Sequence, residues 1–163
     1  MTLARAVESG ANCTGSQVGA VVVLGDDRLG DRVVATGYNG TPAGLTNCVD
    51  GGCVRCARRQ SDQVKSGEGL DWCICVHAEQ NALLTAARFG ISVQGATLYT
   101  TVQPCFGCLK EVIQAGIARI VYADVYPPHG DEEVVAQYDD LVAHLGAFDQ
   151  LTTTLDSAEK PAA

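Results

Sequence analysis

Two short blocks constrain this chain more than anything else in it: Val76-His77-Ala78-Glu79-Gln80-Asn81-Ala82 and Pro104-Cys105-Phe106-Gly107-Cys108. His77, Cys105 and Cys108 form a donor set that suits zinc. A tetrahedral zinc with three protein ligands keeps its fourth position open to water, whereas a structural site is closed by four. Glu79 then stands outside the ligand set. It lies two residues from His77, placed to hold the water, take its proton and pass that proton to a substrate nitrogen. A lone C-x-x-C is a weak signal, since it also serves redox pairs and structural zinc sites. Two half-motifs in this order, each at a helix start, say more. The plain alternative is a buried histidine and an inert cysteine pair.

At 163 residues, without internal repeats, the chain is expected to form a single domain over 1–163. Its N-terminus lacks the apolar stretch of a signal peptide. No apolar run approaches the ~20 residues of a membrane span, so a cytoplasmic location is expected. In a reducing compartment, 8 cysteines point to metal or catalysis before disulfides. The formal charge of −8 argues against nucleic acid, whose phosphates demand a basic track. Arg55, Arg58 and Arg59 form the densest basic patch, enough to meet one phosphate group or simply a solvated loop.

Residues 2–9 read as a short helix. Val18 to Leu24 and Val33 to Tyr38 read as a hairpin, with turn chemistry in Gly25-Asp26-Asp27 and Gly30-Asp31. Asn39-Gly40 is a turn pair whose short polar side chain can face a ligand. From about 41 to 75 no helix or strand period holds, and a structureless stretch of that length needs something to tie it down. Cys48, Cys53, Cys56, Cys73 and Cys75 are the candidates. Four of the five suffice for a second, structural zinc, with one left over and small buried thiols as the alternative.

Downstream, the spacing predicts a helix over 77–89, a strand over 96–101, a helix over 105–115 opened by Pro104, a strand over 118–123 and a helix over 132–145 capped by Asp131. The tail after Asp156 is expected to fray. The order β-β-α-β-α-β-α implies an α/β fold with a mixed central sheet sandwiched by helices. Both half-motifs sit at helix starts that follow strand ends, where ligands gather in open α/β sheets.

H-x-E followed by P-C-x-x-C is the signature of zinc-dependent nucleobase deaminases. With Ser16-Gln17-Val18-Gly19-Ala20, Thr36-Gly37-Tyr38-Asn39-Gly40-Thr41-Pro42, Ala115-Gly116-Ile117 and Asp131-Glu132-Glu133, the chain resembles the deoxycytidylate (dCMP) deaminases of the cytidine deaminase superfamily from about Ser16 to Leu145. The resemblance implies the three-layer α/β/α fold of that superfamily and conversion of dCMP to dUMP with release of ammonia. It also implies a catalytic zinc, homo-oligomers, and dCTP and dTTP as effectors. It places Asn39 near the sugar or phosphate and Tyr126 at the base, and it favours a second zinc in the cysteine-rich insert; Ser16 is a further substrate-binding candidate, and the Ala78 N–H is a candidate donor to the base carbonyl. Gly15-Ser16 departs from the Arg pair that many bacterial members carry, and Cys73-Ile74-Cys75 has no clear counterpart in them.

Two rival readings stand beside this one. One is a deaminase of a related nucleoside, base or nucleotide in the same superfamily, disfavoured where the first ligand is Cys instead of His77 or where the two cysteines are further apart. The other is a zinc-stabilised nucleotide-binding module without catalysis. Glu79 opposes it, because a structural site has no use for a carboxylate outside the ligand set.

Overall fold

The computed structural model of the chain describes residues 1–25, 28 and 30–151. Asp26 and Asp27 of the expected hairpin turn, and the tail past 156, lie outside the described residues. In chain order the elements are α1 (Thr2–Glu8), β1 (Gly19–Leu24), β2 (Arg32–Tyr38), α2 (Val54–Gln60), α3 (Ala78–Arg88), β3 (Thr97–Val102), α4 (Phe106–Gln114), β4 (Arg119–Asp124), α5 (Glu132–Val142) and β5 (Ala147–Gln150). The sheet runs β2-β1-β3-β4-β5. β1 is antiparallel to both β2 and β3, while β3, β4 and β5 are parallel. The expected mixed α/β sheet is what forms.

Register decides which face is the core. Ala20 pairs with Gly37 and Thr100, and Val22 with Ala35 and Leu98; Leu98 in turn pairs with Ile120. Directly paired residues share a face, so these side chains form one apolar surface. Ala82 and Ala86 of α3, Leu109 and Val112 of α4 and Tyr138 of α5 cover it in a single buried cluster. Among the described residues α1 lies on the other face, its backbone against Gly19.

Three details differ from the sequence reading, each for a local reason. The insert holds a helix, α2, which has no apolar period because its buried residues are Arg55 and Cys56. β5 was not expected at all. Its four residues are too few to show alternation, and it is held through Phe148, whose ring lies 5.0 Å from Tyr122, and by an Arg119–Asp149 ion pair of 2.8 Å. α5 stops at Val142, three residues short of Leu145, and Gly146 leads into β5 by donating to the Ala118 carbonyl at 2.8 Å.

The helix that carries His77 and Glu79 reaches the sheet through one glycine. A Cβ at Gly37 would run into the Ala78 carbonyl oxygen and the Ala82 amide nitrogen of α3. Only backbone fits between helix and strand there, and the approach sets how far α3 stands from β2. Gly37→Ala is therefore expected to destabilise the fold by ~1–3 kcal/mol, the usual cost of overpacking. That corresponds to about 2–4 °C of melting temperature per kcal/mol for a domain of this size. Thermal unfolding followed by circular dichroism checks it; an unchanged midpoint contradicts the close-approach account.

Candidate active site

α3 and α4 begin at the same end of the sheet because β2 and β3, both antiparallel to β1, run parallel to each other. His77 is the N-cap of α3 and Cys105 the N-cap of α4. His77 donates its backbone N–H to Gln80 Oε1 at 2.9 Å, and Gln80 Nε2 donates to Glu111 Oε1 of α4 at 3.0 Å, linking the two helices. Isolated bridge bonds between Gly40 and Val76, 2.8 and 3.2 Å, fix the entry to α3. On the α4 side, buried Tyr138 donates to the Pro104 carbonyl at 2.7 Å, and Gln103 Nε2 donates to the Tyr138 hydroxyl at 3.2 Å.

These supports bring His77, Cys105 and Cys108 together, with their ligand atoms all within 4.8 Å of one another. His77 Nδ1 lies 3.2 Å from Cys108 Sγ and 3.5 Å from Cys105 Sγ. A tetrahedral zinc with ~2.0–2.1 Å bonds to nitrogen and ~2.3 Å bonds to sulfur has nitrogen–sulfur edges of about 3.6 Å. The donor set and its spacing fit zinc.

Electrostatics point the same way. The neighbouring Cys108 thiol, by hydrogen bonding, and the His77 ring hold Cys105 down to about 4, so it is a thiolate at neutral pH. Its anionic neighbour and burial push Cys108 well up. The hydrogen bond to Cys105 raises His77. The pair of thiols thus shares one proton until a cation replaces it. Glu79 is 4% exposed, and burial pushes its carboxyl up to about 7 against the pull of His77. A divalent cation at the three donors draws that value down again. A carboxyl poised near neutrality can both accept and donate a proton.

A cleft of about 230 Å³ opens onto this group, lined by His77, Glu79 and Cys105. Ser16, Asn39, Ala78 and Tyr126, all expected near a substrate, line the same cleft. The Asn39 side chain is already engaged: its Oδ1 accepts from the Val18 N–H at 2.8 Å and its Nδ2 donates to the Ser16 carbonyl at 2.7 Å. It braces the segment at one side of the cleft, and each end of the amide keeps one further hydrogen-bonding capacity. Tyr126 is held by its backbone N–H on Gln103 Oε1 at 3.2 Å, and its ring meets His129 edge-on at 4.9 Å.

Arg55 and Arg59 also line the cleft, one helical turn apart on α2. Arg55 is buried and donates twice to the Glu68 carbonyl, at 3.0 and 2.8 Å. Arg59 donates to the Gly15 carbonyl at 2.8 Å, and Arg58 turns away over the Trp72 ring. The basic triplet is thus not a solvated loop, and two of its members belong to the cleft.

The cysteine-rich insert gathers as well. Cys48, Cys53, Cys56, Cys73 and Cys75 form two overlapping groups of four, and the fourth member of the first group is Cys13, which lies outside the insert. Sequence reasoning did not assign Cys13. The odd fifth cysteine of the insert was the signal that a partner was missing.

A mixed α/β sheet with three donors converged at two neighbouring helix starts, beside a buried carboxylate and a cleft, is the arrangement of a zinc-binding domain. The chain belongs to the cytidine and deoxycytidylate deaminase zinc-binding region family, whose model matches residues 1–124. It is 44% identical over 126 residues to the deoxycytidylate deaminase of Saccharomyces cerevisiae, covering 77% of this chain and 36% of that protein. It is also 44% identical over 124 residues to the deoxycytidylate deaminase of Mycobacterium phage D29, covering 74% and 88%. The chain thus spans about a third of the yeast protein and most of the phage one. Its fold matches the dCMP deaminase of cyanophage S-TIM5, solved in complex with dCMP and dUMP, with a TM-score of 0.62, 29% identity and coverage of 91% and 90%. No helix among the described residues is long and apolar enough to cross a membrane.

Because the Cys108 thiol is pushed well up and the His77 imidazole is raised by its hydrogen bond to Cys105, metal binding must displace protons. Zinc binding to these donors at pH 7.5 is expected to release about one to two protons, so affinity falls as pH falls. Calorimetry in buffers of different ionisation enthalpy reads the release directly. A heat independent of buffer contradicts this picture of the triad.

Proposed function

We propose that this chain hydrolyses the exocyclic amine of dCMP, so that dCMP and water become dUMP and ammonia. The observation that carries the reading is Glu79: a buried carboxylate outside the ligand set, in the wall of the cleft that His77 and Cys105 also line. The named relatives and the nucleotides bound in the cyanophage enzyme support cytosine nucleotide as the substrate.

His77 Nδ1 and the sulfurs of Cys105 and Cys108 would hold zinc. When bound, zinc would supply Lewis acidity that brings the ionisation of water down toward neutral pH. Glu79 accepts a proton from the attacking water as the water oxygen bonds to C4, and delivers it to N3 of the cytosine ring. It then takes the remaining proton from the C4 hydroxyl and passes it to the exocyclic amine as the C4–N bond breaks, so one carboxyl serves as base and as acid. The Ala78 N–H, among the first amides of α3 and without an intrahelical acceptor, is the donor assigned to the base carbonyl. Tyr126 flanks the base. Asn39 and Ser16 face the sugar and phosphate end, where Arg59 adds the positive charge a 5′-phosphate requires.

Self-association is part of the same proposal. Leu84, Phe89 and Ile91 are exposed on and just beyond α3, beside an apolar hollow lined by Leu83, Ala87 and Val93, and a second copy is the simplest cover for them.

Glu79→Gln keeps the shape of the side chain and removes its titration. The variant is expected to retain zinc by elemental analysis and to lose ~10²–10⁴-fold in turnover of dCMP. A near-normal rate with zinc in place would end this assignment.

A further inference from the structure

Between residues 41 and 75 no aliphatic side chain is buried. The buried residues there are Cys48, Cys53, Cys56, Cys75 and Arg55, while Leu45, Val49, Val54, Leu70 and Ile74 are exposed. This segment forms a wall of the cleft, yet it has no hydrocarbon core of its own. Its centre is a knot of thiols, completed by Cys13 from the loop after α1 and by half-buried Cys73.

The thiols fall into two complete sets of four: Cys13, Cys48, Cys56 and Cys75, and Cys53, Cys56, Cys73 and Cys75. Cys56 and Cys75 belong to both. A tetrahedron with ~2.3 Å zinc–sulfur bonds has sulfur–sulfur edges of about 3.8 Å. The Sγ separations are 3.6 Å for Cys13–Cys56 in the first set, 3.8 Å for Cys53–Cys73 in the second, and 3.9 Å for the shared pair Cys56–Cys75. A single zinc in either set would leave two of the six thiols without a metal. Two tetrahedra sharing the Cys56–Cys75 edge use all six.

We propose that the insert is built around a binuclear zinc cluster of six cysteines, with Cys56 and Cys75 bridging two zinc ions. Cys13 and Cys48 complete one ion and Cys53 and Cys73 the other. Six thiolates against two divalent ions leave two negative charges, and the surroundings answer them. Thr14 donates its backbone N–H to Cys48 Sγ at 3.4 Å. Arg59 sits over Gly15, where a side chain would lie 3.2 Å from Arg59 Nη1 and 3.6 Å from both Cys13 Sγ and Cys56 Sγ. The cluster is thereby tied to the deaminase site at two points without sharing a ligand with it. Cys75 is two residues ahead of His77, and Cys56 lies on α2 between Arg55 and Arg59. Its role is positional: it replaces the missing core of the segment that presents the arginines to the cleft.

The test is the metal content of the purified chain by elemental analysis, with zinc K-edge absorption as a second reading. Three zinc ions per chain are expected, one at the triad and two in the cluster, with a metal–metal scattering component. Cys105→Ala should leave two, so failure of the catalytic reading is distinguishable from failure of this one. Cys56→Ser should remove both cluster ions and leave one; if it does not fold, the wild-type count and the scattering component decide. A wild-type count of two or fewer, absence of metal–metal scattering, iron with acid-labile sulfide, or disulfides among the six cysteines would each overturn the cluster.

Discussion

The structure depends on two helix N-termini meeting over one end of a sheet. His77 and Cys105 are 28 residues apart in sequence, yet Nδ1 and Sγ lie 3.5 Å apart because the Gly40–Val76 bridge brings the start of α3 to the end of β2, α4 follows β3, and the two strands run the same way on either side of β1. Helix starts concentrate unpaired amides and positive potential, which favours thiolates and carboxylates at that spot. Gly37 lets α3 lie against β2 on bare backbone, and Tyr138 holds the Pro104 turn from behind.

Around this centre the charges are arranged by burial more than by number. The chain is acidic overall, at −8, but the cleft brings together a raised Glu79, a lowered Cys105 and two arginines from α2. Two guanidinium groups thus line the cleft, while a buried carboxyl with a raised pKa stands a few residues into α3. Net charge speaks to polymers such as nucleic acid, and local charge speaks to a single nucleotide. The two pull in opposite directions here without conflict.

Much of this was legible in the sequence, and for identifiable reasons. The donors and Glu79 were readable because metal chemistry restricts residue type and spacing more tightly than packing does. The strands of the sheet interior were readable from β-branched runs such as Val21-Val22-Val23. What was not legible has no apolar pattern to read. α2 buries an arginine and a cysteine, β5 offers four residues and one aromatic ring, and Cys13 acts on partners 35 or more residues away. The basic triplet looked like solvated surface because sequence alone does not show that Arg55 folds back onto the Glu68 carbonyl. For α2, Cys13 and Arg55 the stabilising contact is polar or sulfur-based, and for β5 a single ring is too little to set a period, so hydrophobic periodicity is blind to all of them.

The central claim is that one buried carboxylate and three converged donors serve a cytosine nucleotide held by its phosphate. It is tested most directly by following ammonia release from dCMP, CMP, dCTP, deoxycytidine, cytidine and cytosine offered in parallel to the zinc-loaded protein. The account predicts that dCMP is turned over with the highest kcat/KM and that removing its phosphate is costly. Release from deoxycytidine or cytosine at a rate equal to or above that from dCMP, or from none of the six, would contradict it.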